Sequence, residues 1–365
     1  MDSNLDSLLK LIQVALDLSD DVQFTSDVDW RAVYDLAVLQ GMGAIAFDGV
    51  QKLFEKGCDV VSPLFGDMHR ELKYDWFGCS LGNEAQFEDQ TMHIQELCNT
   101  LKNRGIKVMV IKGIGLSYYY PIPSHRAVGD IDMYLFGRGR EADSLLTDVY
   151  GVTIKQNEDK HSTFKFKGTI IENHASFVNT VEYPSSLVLE EYLENEAHDS
   201  DVLMLGEAEF FVPSIMMNAV YLPCHTAGHF MYGGLTLKQL TDWALFVKRF
   251  GEVIDWEKVY DLSRLVGFER FLSSLNGIVI KYFGVSSNAI PSWERDYDLE
   301  NRIWEEILLF KSEHDGTRFQ RALRFLSSKW KFSIVYRESF YLTFLKRCWA
   351  SIRGNYIPES RSVWD

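Results

Sequence analysis

The chain has 365 residues, 46% apolar and 14% aromatic, more than one small domain needs and enough for sizeable cores. Its net charge of −15 works against a protein that grips long nucleic acid through its phosphates. No apolar run reaches a membrane span and no basic stretch precedes the first apolar one, while five scattered cysteines (Cys58, Cys79, Cys98, Cys224, Cys348) suit a reducing cytoplasm better than a disulfide framework or zinc site.

Residues 1–104 read as helices. "DSLLKLIQVALDL" has helical apolar spacing, and "DVDWRAVYDLAVLQGMGAIAFDGVQKLFEKG" follows with Asp29 as N-cap. "EAQFEDQTMHIQELCNTLKNRG" is a further amphipathic helix, closed by Gly105. The pattern then changes. "IKVMVIKG" is a β-branched run, "GDIDMYLF" alternates, and "HSTFKFKGTIIENHASF" predicts a hairpin turning at Gly168. "AEFFVPS" supplies a last short strand, and helical patterning resumes from Ser214. The expectation is an α+β fold in three parts: helices over 1–104, a small mixed β-sheet module over 105–213, and helices over 214–365.

Two further patterns stand out. "DWRAVYDLAVLQGM" (29–42) and "DWEKVYDLSRLVGF" (255–268) agree at eight of fourteen positions, which predicts two helices with the same cap and the same tryptophan anchor. Between Thr317 and Arg353 nine Lys and Arg stand against one acid, Glu338. That block reads first as docking on the acidic remainder of the same chain. Phosphates, an acidic partner or peripheral contact with an anionic membrane are the alternatives.

The chemistry concentrates in "VMVIKGIGLSYYYPIPSHRAVGDIDMYLF" (108–136). Strand alternation puts Asp130 and Asp132 on one face. Two like charges there need a cation, and hard carboxylate oxygens suit Mg²⁺ or Mn²⁺. The same parity puts Ile170, Glu172 and His174 together, so Glu172 is the candidate third acid. Such crowding predicts that neutralising Asp132 leaves stability unchanged or raises it. Gly113 and Gly115 form a turn before a helix, where backbone amides attract phosphate and Lys112 adds a charge. Arg126 either clamps a phosphate or pairs with an aspartate. His225 and His229, four apart, share a helix face as cleft or core residues, whereas His125 and His161 carry no clear signal.

Strand, Gly turn, helix and Asp-Ile-Asp in this order resemble the DNA polymerase beta-like nucleotidyltransferase superfamily. Within it, "IKGIGLSYYYPIPSHRAVGDIDMYL", "IENHASF" and "CHTAGHFMYGGLTLKQLTDWALFV" resemble the family of uncharacterised bacterial nucleotidyltransferases, over residues 105–250. The resemblance implies that 105–213 is a nucleotidyltransferase-like module. It assigns Gly113 to the turn, Asp130 and Asp132 to the metal, and Glu172 to the third acid. By analogy Asp242 faces the His225–His229 pair. It further implies an enzyme that uses an NTP with Mg²⁺ (or Mn²⁺) and passes a nucleoside monophosphate to a small-molecule or protein acceptor. The runner-up is a non-catalytic nucleotide- or phosphate-ligand-binding module, acting as a sensor with the basic C-terminal helices as its partner surface. This chain carries Ile114 where the superfamily usually has Gly or Ser.

Overall fold

A computed structural model describes residues 3–352 apart from 20–21, 25–27, 66–69, 158–160, 206–207, 233, 292–294, 309–322 and 324–325. The N-terminal helices are α1 (Ser3–Ala15), α2 (Trp30–Leu39), α3 (Gly43–Glu55) and α4 (Arg70–Lys102). Gly49 lets α1 and α3 touch: a Cβ there would lie 2.2 Å from the Leu11 carbonyl oxygen. α4 begins fourteen residues before the amphipathic stretch at Glu84. Gly78 and Gly82 lie in open space, so they do not break it.

The middle of the chain holds β1 (Met109–Val110), α5 (Ile114–Ser117), β2 (Ile131–Tyr134), α6 (Gly139–Tyr150), β3 (Lys155–Asn157), β4 (His161–Phe166), β5 (Thr169–His174), α7 (Leu187–Glu196), β6 (Asp201–Leu205) and β7 (Ala208–Val212). Among the described residues the strands form one mixed sheet of order β3-β4-β5-β2-β1-β7-β6. β2 runs parallel to β5 and antiparallel to β1. β4 and β5 form the expected hairpin, with Lys167 and Gly168 both at positive φ (48° and 95°), as a tight two-residue turn requires. The strand expected over 106–113 contracts to two residues, and the helix over "GLSYYY" to a single turn ending at Ser117.

Alternation along β2 sorts its side chains. Ile131 and Met133 enter a core with Ile94, Leu97, Ala142 and Leu146, from the later half of α4 and from α6. Asp132 and Tyr134 point to the other face. There Tyr134 packs on Phe177, and Phe177 on Tyr221 of α8 (Ile215–Tyr232). This second core is continuous with the N-terminal helices and with α9 (Leu237–Phe250), α10 (Trp256–Val266), α11 (Glu269–Phe283) and α12 (Tyr297–Leu308). It therefore runs across both suggested boundaries, near residues 104 and 213. Two more helices, Lys329–Val335 and Phe340–Ile352, follow.

The repeated sequence behaves alike in both places. Asp29 caps α2 through the Ala32 amide (3.0 Å) and Asp255 caps α10 through the Lys258 amide (3.1 Å). Trp30 and Trp256 are both buried.

Candidate active site

The register Asp132↔Glu172 across the β2/β5 pair sets these two acids side by side on one face. Asp130 sits one residue before β2, at the mouth of the cleft. Oxygens of Asp130, Asp132 and Glu172 lie within 4.8 Å of one another, so one cation can reach all three. Their electrostatics differ. Burial, then the neighbouring Asp132 charge, push the Asp130 carboxyl above its ordinary value. Burial would also raise Asp132, but Lys112 and His174 outweigh it and hold Asp132 well below the usual carboxylate range. Glu172 is likewise held low against burial, by His174 and His161.

Lys112 Nζ lies 2.9 Å from Asp132 Oδ1, and His174 Nε2 lies 2.9 Å from the same oxygen. Burial alone would lower the Lys112 pKa, yet Asp132, Tyr221 and Asp130 together raise it. This pairing argues against the expected stability of an Asp132 neutralisation: removing that charge takes away the nearest counter-charge of Lys112 and leaves Asp130 as the more distant one. Gly113 adopts φ 58°, ψ −117°, a conformation glycine favours, and a Cβ there would meet the Asp130 carbonyl at 3.6 Å. The amides of Gly115, Leu116 and Ser117 are already bonded to the carbonyls of Lys112 and Gly113. Gly115 packs instead: its Cβ would lie 3.3 Å from the Val110 oxygen and from Val212.

The facing wall comes from α8, α9 and the loop before β2. Arg126 pairs with neither Asp130 nor Asp132. Its Nε and Nη2 donate to the two carboxylate oxygens of Asp242 at 2.7 and 2.8 Å, and the Tyr120 hydroxyl donates to the same carboxylate at 2.7 Å. Asp242 thus anchors Arg126 rather than the histidines. His225 and His229 meet through their Nε2 atoms at 3.1 Å, with Lys112 Nζ 3.5 Å from His225. Lys238 joins this wall and carried no sequence signal of its own. It is the second residue of α9, after Thr236, whose capping box with Gln239 was legible as Thr-x-x-Gln. Burial first, then the Arg126 charge, lower the Lys238 pKa.

Two cavities of about 420 and 450 Å³ meet at Lys112 and Asp130, in the range of small-molecule sites. Arg126, Lys238, Gln239 and Asp242 line the first. Glu172, Asn179, Glu182, Tyr183 and Tyr336 line the second. His125 is tied between Asp48 (2.8 Å) and Glu84 (2.9 Å) and so fastens the Arg126 loop to α3 and α4. His161, on β4, joins Glu172 and His174.

Part of the basic 317–353 segment, at 317–322, 324–325 and 353, lies outside the described residues. Of the rest, Lys331 pairs with Glu306 (2.5 Å), and Arg337 donates to the Leu265 carbonyl (3.0 Å), both within the molecule. Cys58, Cys79, Cys98 and Cys224 are in no disulfide among the described residues. No helix among the described residues is long and apolar enough to cross a membrane.

Residues 26–284 match a family described as an uncharacterised nucleotidyltransferase. No curated protein and no solved structure gives a match.

Proposed function

The match spans well over half of the chain, so the chain belongs to this family of uncharacterised nucleotidyltransferases, and on that premise we propose that it moves a nucleoside monophosphate from an NTP to a small-molecule or protein acceptor. The observation that carries the reading is the convergence of Asp130, Asp132 and Glu172 within 4.8 Å, opposite a wall bearing Arg126 and Lys238. Three carboxylates are the donor set of a hard dication, and such an ion would relieve the like charges that add to burial in raising the Asp130 pKa. These residues would hold Mg²⁺ or Mn²⁺, which when bound offsets phosphate charge and activates the attacking oxygen.

The chain's own groups do the positioning. Arg126, locked by Asp242, presents a fixed planar cation to the phosphates. Lys238, which feels the charges of Asp242 and Asp130 as well as those of Arg126 and Lys112, offers a second cation to the phosphates near a helix N-terminus. Any contact from the Gly113 turn falls to the amides of Gly113 and Ile114. The acceptor enters through the second cavity, past Glu182 and Tyr183. Its hydroxyl oxygen bonds the α-phosphorus and gives up its proton to solvent, while the bond from that phosphorus to the bridging oxygen breaks and pyrophosphate leaves.

A second reading, a non-catalytic phosphate-ligand module, is favoured by the Lys112–Asp132 pair, which neutralises one acid without a metal. One experiment separates the two. The protein is incubated with Mg²⁺ and each labelled NTP, and pyrophosphate and label transfer to protein or to candidate small acceptors are followed. Release that disappears in Asp132→Asn and Glu172→Gln supports transfer. Release unchanged in both variants refutes the site.

A further inference from the structure

We propose that His161, Glu172 and His174, with Asp132 as fourth donor, form a site for a borderline transition-metal dication of the Zn²⁺ or Co²⁺ class. It stands beside the three-carboxylate site, shares Asp132 and Glu172 with it, and does not depend on the nucleotidyl-transfer reading. The four side chains sit on one sheet face across three neighbouring strands. The pairs His161↔His174 and Thr163↔Glu172 join β4 to β5, and Asp132↔Glu172 joins β5 to β2.

Donor atoms of His161, Glu172 and His174 lie within 4.8 Å of one another, close enough for one ion to draw them into a small shell, with Asp132 reached through His174. Metal bonds of ~2.0–2.1 Å give ligand–ligand separations of about 3.3–3.4 Å in a tetrahedron. His161 Nε2 lies 3.5 Å from Glu172 Oε1, His174 Nε2 lies 3.6 Å from Glu172 Oε2, and His174 Nε2 lies 2.9 Å from Asp132 Oδ1.

The tautomer points the same way. His174 Nδ1 is 3.3 Å from the Ser176 carbonyl oxygen, which can only accept. The ring proton therefore sits on Nδ1, and a neutral His174 aims its Nε2 lone pair at a carboxylate oxygen. Two lone pairs 2.9 Å apart need a cation between them, either a second ring proton or a metal. A ring nitrogen bonded to a backbone carbonyl while the other faces the ion is the usual support of a metal-ligating histidine. Imidazole donors turn preference away from Mg²⁺ and towards Zn²⁺ and Co²⁺. Charge agrees: with neutral histidines, Asp130, Asp132, Glu172 and Lys112 sum to −2, matched by one dication.

The test uses full-length protein, freed of metal by chelation and dialysis, titrated with Co²⁺ alone and without nucleotide. Visible ligand-field absorption should grow to an end point at one equivalent, and Zn²⁺ should remove it. Losing a supporting residue weakens metal sites ~10–100-fold, so His161→Gln or His174→Gln should weaken this one by about 100-fold or more. Asp130→Asn should keep it, while eliminating any Mg²⁺-dependent pyrophosphate release. A wild-type protein that gives no such absorption refutes the metal and leaves the second ring proton as the cation at His174, whether or not the protein transfers nucleotides. Histidine variants that bind Co²⁺ undiminished refute the ligand set. Imidazole proton resonances of the wild-type protein supply a check free of folding effects: His161 and His174 signals unmoved by Zn²⁺ also overturn the proposal.

Discussion

Lys112 is the residue whose removal reports most on the cleft. Its ammonium lies 2.9 Å from Asp132, and the two side chains are 16% and 2% exposed. At an effective dielectric of about 20 the pair is worth roughly 6 kcal/mol before desolvation. Removing one partner of a buried pair typically costs 3–5 kcal/mol, and His174 remains beside Asp132 to soften the loss. Lys112→Met should therefore lower unfolding free energy by about 2–4 kcal/mol near neutral pH, read by urea denaturation. Mg²⁺ should restore more stability to the variant than it adds to the native protein, where the ion must displace the ammonium. A ligand at 100 times its dissociation constant adds about 2.7 kcal/mol. Lys112→Met combined with Asp132→Asn removes both charges and should recover much of the loss. A single-variant loss below about 0.5 kcal/mol, the range of ordinary surface changes, would refute the reasoning, as would equal Mg²⁺ stabilisation of both proteins.

Three further outcomes follow from the same contacts. Asp130 has a folded pKa above its unfolded one, so stability falls as pH rises from the unfolded value and the loss is complete above the folded one; Asp130→Asn should be more stable than the native protein at pH 7 in thermal melts, and equal to it well below about pH 4. His125 is raised mainly by its bond to Asp48, so its stabilisation is complete below about pH 6.5 and lost as pH rises through the higher folded value; urea unfolding at pH 6 and pH 9 should show that loss in the native protein and not in His125→Gln. Arg126→Lys keeps the charge but loses the two-point grip on Asp242; NTP affinity by calorimetry should fall about 10-fold or more, and unchanged affinity would place the phosphates elsewhere.

How far the sequence speaks differs from residue to residue. Asp130, Asp132 and Glu172 were legible because strand parity is a local rule, and parallel pairing of β2 with β5 turned parity into contact. The Lys167–Gly168 turn and the Asp29 and Asp255 caps were legible for the same reason: each is decided within four residues. β3 was not, since "KQN" has no apolar side chain and holds its place through backbone pairing with β4. Lys238 reads as an ordinary solvent-facing lysine of an amphipathic helix. Its surroundings come from distant parts of the chain, Ala127 in the Arg126 loop and Gly41 after α2. His125 takes its partners from 77 and 41 residues away, beyond any spacing rule.

The Arg126–Asp242 pair spans 116 residues, and that separation has a consequence for how the protein is made. On the ribosome all three acids, the glycine turn and Arg126 emerge well before the aspartate that holds Arg126 in place. A nascent chain paused or cut in that interval owns its acids but lacks the wall that aims them. If Arg126 is the phosphate contact proposed above, the ability to engage an anionic ligand is acquired late in synthesis, once α9 docks.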